Sequence, residues 1–191
     1  GASAGWMLST QWLCRFKEVL TVDIDPWAWR LFNWQHGRAL QDAGVQLVHR
    51  VADAFSPEFD WFDGNARTLY WFDNVLGQLR FMHDIEQTRR LIEQLQKKMT
   101  KMRWGSVHDR YSGPVYPRAT PPAAWVSKAG VDLGDAQAQK WLHQWGAQGD
   151  WLDHLTQKVL RSGTTVLNLA WPFKPDFGHW IEMGWQTPNG H

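Results

Sequence analysis

The sequence has a single cysteine, Cys14, in 191 residues. One thiol cannot build an intrachain disulfide framework, and it fits a reducing, cytoplasmic setting. An excess of one charge is also missing, since 20 Lys and Arg stand against 19 Asp and Glu. That balance argues against a nucleic-acid partner. The densest basic stretch, KKMTKMR from Lys97 to Arg103, reads as the cation-rich last turn of a helix. No apolar run approaches the ~18 residues of a membrane span, and no signal-peptide pattern opens the chain, so no membrane association is expected. The histidines are dispersed. His36 and His49 have no neighbour at ligand spacing, and His83-Asp84 is too sparse, so no metal site is predicted.

Tryptophan is plentiful, with 15 residues. Many stand in aliphatic stretches (Trp12, Trp61, Trp71, Trp171, Trp180) and are expected to pack the core rather than stack on a ligand. Periodicity predicts a helix from Ser3 or Ala4 to Phe16 and a strand over Glu18–Ile24. A second helix starts at Pro26, capped by Asp25, and stops near Ala43-Gly44. Further strands are predicted over Val45–Val51, Thr68–Phe72 and Trp104–His108, with a long helix from His83 to Met99. Residues Ser112–Asp132, rich in proline, glycine and alanine, read as a long connection or lid. Helices are expected over Leu133–Trp145 and Asp150–Leu160. Two last strands, Thr164–Trp171 and His179–Trp185, are joined too tightly for a crossover and should be antiparallel. Strands alternating with helices predict one α/β domain over residues 1–191: a doubly wound, mostly parallel sheet with helices on both faces and a C-terminal antiparallel hairpin.

The opening GASAG satisfies two patterns at once. As G-x-S-x-G it would make Ser3 the nucleophile of a serine hydrolase, with Asp150 or Asp153 and His179 as conceivable partners. As a glycine-rich turn it would cradle an anionic or nucleoside ligand. A dinucleotide-type turn would need glycine where Trp6 stands, and no Gly-Lys-Ser/Thr phosphate loop occurs. Acidic residues follow three successive predicted strands: Asp23, Asp53 and Asp73, the last beside Asn74. Ligands of open α/β sheets bind beyond such strand ends, and an acid ~20 residues past a glycine turn suits ribose hydroxyls. Asp23 has that spacing from Gly1. A plain turn or cap is its structural alternative.

The series GASAGW, VLTVDIDP, VADAF and LYWFDNVLGQL resembles the class I, Rossmann-like S-adenosylmethionine-dependent methyltransferases, over a span from Gly1 to about Trp185. The resemblance implies that Gly1, Ser3 and Gly5 turn beside the methionine part of S-adenosylmethionine. Asp23 would hold the ribose and Ile24 the adenine face. Asp53 would meet the adenine amino group, with Ala54 and Phe55 nearby, and Asp73 and Asn74 would lie by the methionine end. It also implies a strand ahead of Gly1 that this sequence does not contain, so the chain reads as a piece of a longer one. The acceptor motif D/N-P-P-Y/F is replaced by Asp73-Asn74-Val75-Leu76, which points away from exocyclic amines and towards another, small-molecule acceptor.

For catalysis the sequence offers VHDRYSGP, with His108, Asp109 and Arg110 as candidates: His108 would accept a proton and Arg110 would hold an anionic group, whereas a local Asp109–Arg110 charge pair belongs to the non-catalytic alternative. A surface turn is the alternative there. His179 reads as structural and Cys14 as a small core residue. A catalytically inactive nucleoside- or cofactor-binding module remains the competing function.

Overall fold

The computed structural model describes residues 5–56 and 67–188. The chain forms two compact units, Gly1–Asp63 and Gly64–His191.

In the first unit, helix α1 (Thr10–Leu13) precedes strand β1 (Glu18–Asp23). The Ser9 hydroxyl accepts from the Trp12 amide and caps α1. Helix α2 (Ala28–Phe32) continues as a π-helical turn (Asn33–Gly37) into α3 (Arg38–Asp42). It ends where Gly44 takes φ 72°, a conformation that costs glycine little. Strand β2 (Gln46–Val51) then pairs in parallel with β1. Leu13, Phe32, Leu40 and Val45 form the core of this unit.

In the second unit, β3 (Leu69–Asp73) leads into α4 (Val75–Met82) and α5 (Ile85–Met99). Asp84 caps α5, and Lys97 and Lys98 lie in its last turn, where cations meet the negative end of the helix dipole as expected. Next come β4 (Arg103–Pro114), β5 (Trp125–Lys128), α6 (Ala136–Trp145) and β6 (Leu152–Asp153). Strands β7 (Thr165–Lys174) and β8 (Phe177–Gln186) close the chain as an antiparallel hairpin, as expected. The sheet order is β3-β4-β8-β7-β5, with β6 on β4. The Asp135 carboxylate caps α6 through the amides of Gln137 and Ala138. Trp141 and Trp145 of that helix pack with Tyr111, Val115 and Trp180. This approach is close: a methyl on Gly178 would come within 2.4 Å of the Trp145 ring.

The doubly wound parallel sheet is not what forms. The six-stranded sheet is mixed and mostly antiparallel, β3–β4 being its one parallel pairing among the described residues. The parallel β1–β2 pair makes a separate two-stranded sheet. Two segments explain the error. Residues 125–128, read as part of a lid, pair antiparallel with β7, and residues 152–153, read as helix, pair antiparallel with β4. Short strands with few apolar residues leave no periodic signal, and their pairing rests on partners far along the chain. The tryptophans divide too: Trp104, Trp145 and Trp180 are fully buried, while Trp171 is exposed. Trp61 lies outside the described residues.

Candidate functional site

In the first unit the β1–β2 register pairs Asp23 with Val51. The Ala52 amide donates to the Asp23 carbonyl. Asp23, Ile24, Asp53 and Ala54 therefore fall at one carboxyl edge of a parallel pair. Each acid also serves its own turn. Asp23 Oδ1 accepts from the Asp25 amide at 2.9 Å, and Asp53 Oδ1 from the Phe55 amide at 2.8 Å. Asp23 is buried, whereas Ile24 is 62% exposed.

Gly5, with φ 65°, packs against Phe32 and His36. A methyl there would stand 2.8 Å from Phe32 Cε2 and 2.9 Å from His36 Nε2. His36 Nε2 lies 3.2 Å from the Gly5 carbonyl and Nδ1 lies 2.7 Å from the Thr10 hydroxyl. A carbonyl only accepts, so Nε2 carries the proton of that bond. Close helix packing thus requires glycine at position 5. Gly1 and Ser3 lie outside the described residues, and with them the nucleophile-elbow reading.

In the second unit, Asp73 ends β3 and Asn74 turns the chain into α4 with φ 54°. Asp73 Oδ1 is buried with no hydrogen-bond partner among the described residues. Desolvation pushes this carboxyl up from 3.8 to about 6, because the charged form loses water without a compensating donor. Asn74 Oδ1 accepts from the Asp109 amide at 3.2 Å.

His108, Asp109 and Arg110 sit in mid-strand rather than in a turn. β4 is buried over ten consecutive residues, and strand alternation separates the three side chains. His108 and Arg110 flank Glu182 of β8, with Nε2–Oε1 at 3.4 Å and Nε–Oε2 at 3.7 Å. All three are fully buried or nearly so. Apart from these ion contacts, both Glu182 oxygens and Arg110 Nη1 find no hydrogen-bond partner among the described residues. Arg110 also reaches the Val131 carbonyl, and His108 Nδ1 the Ser106 hydroxyl. Asn168 of β7, opposite Glu182, accepts from Trp180 Nε1 at 2.8 Å.

Asp109 belongs to a different group. Its Oδ1 is 3.0 Å from His179 Nδ1, and its carbonyl accepts from Thr156 Oγ1 at 2.7 Å. The register shift between Asp109 and Tyr111 is a bulge that brings Ser112 opposite His179. Ser112 Oγ is 2.9 Å from His154 Nε2, and His154 Nδ1 is 2.9 Å from the Gly77 carbonyl. Burial lowers the His154 pKa, partly offset by that carbonyl and by Asp109, so the neutral ring is favoured. Asp109, His154 and His179 each offer a ligand atom within 4.8 Å of the others. Sequence spacing missed this group, because its members come from β4, the turn after β6, and β8. His154 was hidden in a predicted helix, and His179 reads as structural from sequence alone.

No helix among the described residues is long and apolar enough to cross a membrane. No protein-family model, curated protein or solved structure matches the chain.

Proposed function

We propose that the chain binds S-adenosylmethionine at the carboxyl edge of the β1–β2 pair and transfers its methyl group to a small-molecule acceptor. The observation that carries this reading is the parallel register, which gathers Asp23, Ile24 and Asp53 at one strand edge. Such edges are where open α/β units take nucleosides. The residues suit an adenosine. Asp23 is a buried carboxylate able to accept from ribose hydroxyls, and the exposed Ile24 offers an apolar surface to the adenine ring. Asp53, one turn past β2, is able to accept from an exocyclic amine. When bound, the sulfonium supplies an electrophilic methyl carbon. The chain's own task is then to hold that carbon in line with the acceptor and keep water away, which is catalysis by proximity and orientation. The balanced charge supports a small acceptor over a nucleic acid, and the single thiol supports a cytoplasmic setting.

The test is a calorimetric titration of the full chain with S-adenosylmethionine and S-adenosylhomocysteine. Both should bind saturably, and Asp23→Ala should weaken binding by at least about tenfold, the worth of a charge-assisted hydrogen bond. Absence of saturable binding, or binding indifferent to Asp23→Ala, refutes the reading.

One observation favours a second reading, a cofactor-binding module without turnover. His108 and Arg110, the catalytic residues expected from sequence, are 0% exposed and committed to Glu182. Methyl transfer to a panel of small acceptors separates the two: binding without turnover supports the module.

A further inference from the structure

Within the second unit, Asp109, His154 and His179 offer a donor set that the cofactor reading does not use. We infer that these three residues form a binding site for a divalent transition-metal ion of the zinc class. It stands independently of the cofactor reading, which concerns the first unit.

Donor chemistry is the first argument. Two imidazoles and one carboxylate suit zinc and its neighbours, whereas magnesium and calcium take oxygen ligands. Spacing is the second. Ligands at about 2.0–2.2 Å from a tetrahedral zinc lie about 3.3–3.5 Å from one another. The ligand atoms here already lie within 4.8 Å, and Asp109 Oδ1 is 3.0 Å from His179 Nδ1. Side-chain adjustments of an ångström or so close the set.

The third argument is the surrounding support. His154 Nδ1 faces the Gly77 carbonyl, which only accepts, so Nδ1 carries the proton and Nε2 the lone pair. A backbone carbonyl orienting the far nitrogen of a histidine is the usual outer support of a metal ligand. That lone pair now accepts from the Ser112 hydroxyl. Asp109 Oδ1 faces His179 Nδ1 at 3.0 Å. In the tautomer with its proton on Nε2, His179 presents the Nδ1 lone pair to the ion. Asp109 is held from two sides, by Thr156 at its carbonyl and Asn74 at its amide.

Three protein ligands leave a position for water or an oxygen donor, the pattern of catalytic rather than structural zinc. His179 is 13% exposed, more than Asp109 at 4%, so the set opens on the His179 side. There the rings of Trp171, Phe173 and Phe177 lie 5.3–5.6 Å from the imidazole. A Ser112–His154 nucleophile pair is the rival use of the same atoms, but Ser112 is 3% exposed, too little for attack on a substrate.

The experiment strips the full chain with a chelator and titrates it with zinc chloride by calorimetry, then with cobalt(II) by visible absorption. One equivalent of zinc should bind, and the unfolding temperature should rise with zinc concentration. Loss of an orienting partner typically costs 10–100-fold in affinity, so loss of a ligand in His179→Ala should cost about 100-fold or more. His143→Ala, at an exposed histidine of α6 outside the ligand set, should leave binding unchanged. Because His179→Ala alters a packed site, far-UV circular dichroism checks its fold, and His179→Cys supplies a second ligand variant. His179→Cys should keep the ion and add a thiolate-to-cobalt charge-transfer band absent from the parent chain. No stoichiometric zinc binding, equal losses in His179→Ala and His143→Ala, or no new band in His179→Cys overturns the site.

Discussion

In the unit Gly1–Asp63, strands β1 and β2 leave Leu20 and Val51 exposed, and the helices leave Trp27, Trp29, Leu31 and Trp34 exposed. In the unit Gly64–His191, β4 alone buries ten consecutive residues, among them Ser106, His108, Asp109, Arg110 and Ser112. Both units expose some apolar side chains, Phe81, Val126 and Trp185 among them in the second, but only the second buries a run of polar ones along a single strand. The cause is sheet width. A two-stranded sheet offers too little surface for a continuous core. By contrast, β4 has β3 on one side and β8 on the other, so neither edge of it is free over most of its length. Its polar residues must then find partners inside the protein, because a buried charge or donor left alone is costly. That necessity collects His108, Arg110 and Glu182 into one group and Asp109, His154 and His179 into another.

The contrast can be broken by substitution, most severely at Glu182. Glu182→Ala removes the carboxylate that Arg110 and His108 share. It should destabilise the chain by about 3–5 kcal/mol, the cost of leaving a buried charge uncompensated, as read by urea unfolding. Replacing Glu182 by Gln should recover part of the loss.

Next comes Asp73, whose carboxyl is raised from 3.8 to about 6. Between these two pH values the folded chain holds a proton that the unfolded chain has released, so stability falls as pH rises through this window. The full penalty is present above about pH 6 and amounts to about 3 kcal/mol at 1.36 kcal/mol per pH unit. Asp73→Asn should therefore stabilise the chain at pH 8 by about 1–3 kcal/mol, less than the full penalty because an unpaired amide also dislikes burial. It should flatten the stability profile between pH 4 and 6. Denaturant midpoints across that range check both.

Gly77→Ala should cost about 1–3 kcal/mol, the usual range for overpacking. The added methyl would stand 2.9 Å from both Cβ and N of Asp109. The displaced α4 would take the Gly77 carbonyl from His154, so zinc affinity should fall along with stability. The smallest effect is expected at Trp34, which is 76% exposed. Trp34→Ala should stay within about 0.5 kcal/mol, as for surface positions without a special role. A large loss there would mean that the apolar face of the first unit is covered.

The apolar strands and the long helices were the legible part of the sequence. EVLTVDI was expected over Glu18–Ile24 and forms Glu18–Asp23, and TLYWF forms Leu69–Asp73. The tight link before β8 also revealed an antiparallel hairpin. The helix expected from Pro26 begins at Ala28 and runs in three pieces, with a π-helical turn carrying buried His36. Asp150–Leu160 was misread, because its apolar residues mimic helical spacing while Asp153 and Leu155 form a turn. Asp23 and Asp53 were expected at strand ends and fall there, because strand ends are local. Asp109 was named, but its partners were not, since nothing near it in the chain predicts His154 or His179.

The chain's own order of residues determined where the apolar strands and the long helices lie, because apolar periodicity, caps and turn-forming residues act over a few positions. Only the tertiary structure decided which strands pair, in which direction and in what register. It also decided that a bulge at Arg110 would bring Ser112 opposite His179. Those choices depend on backbone hydrogen bonds and buried polar contacts between segments far apart in sequence, such as the 70 positions between Asp109 and His179. Their energy comes from excluding water around both partners together, and no local pattern of residues encodes that.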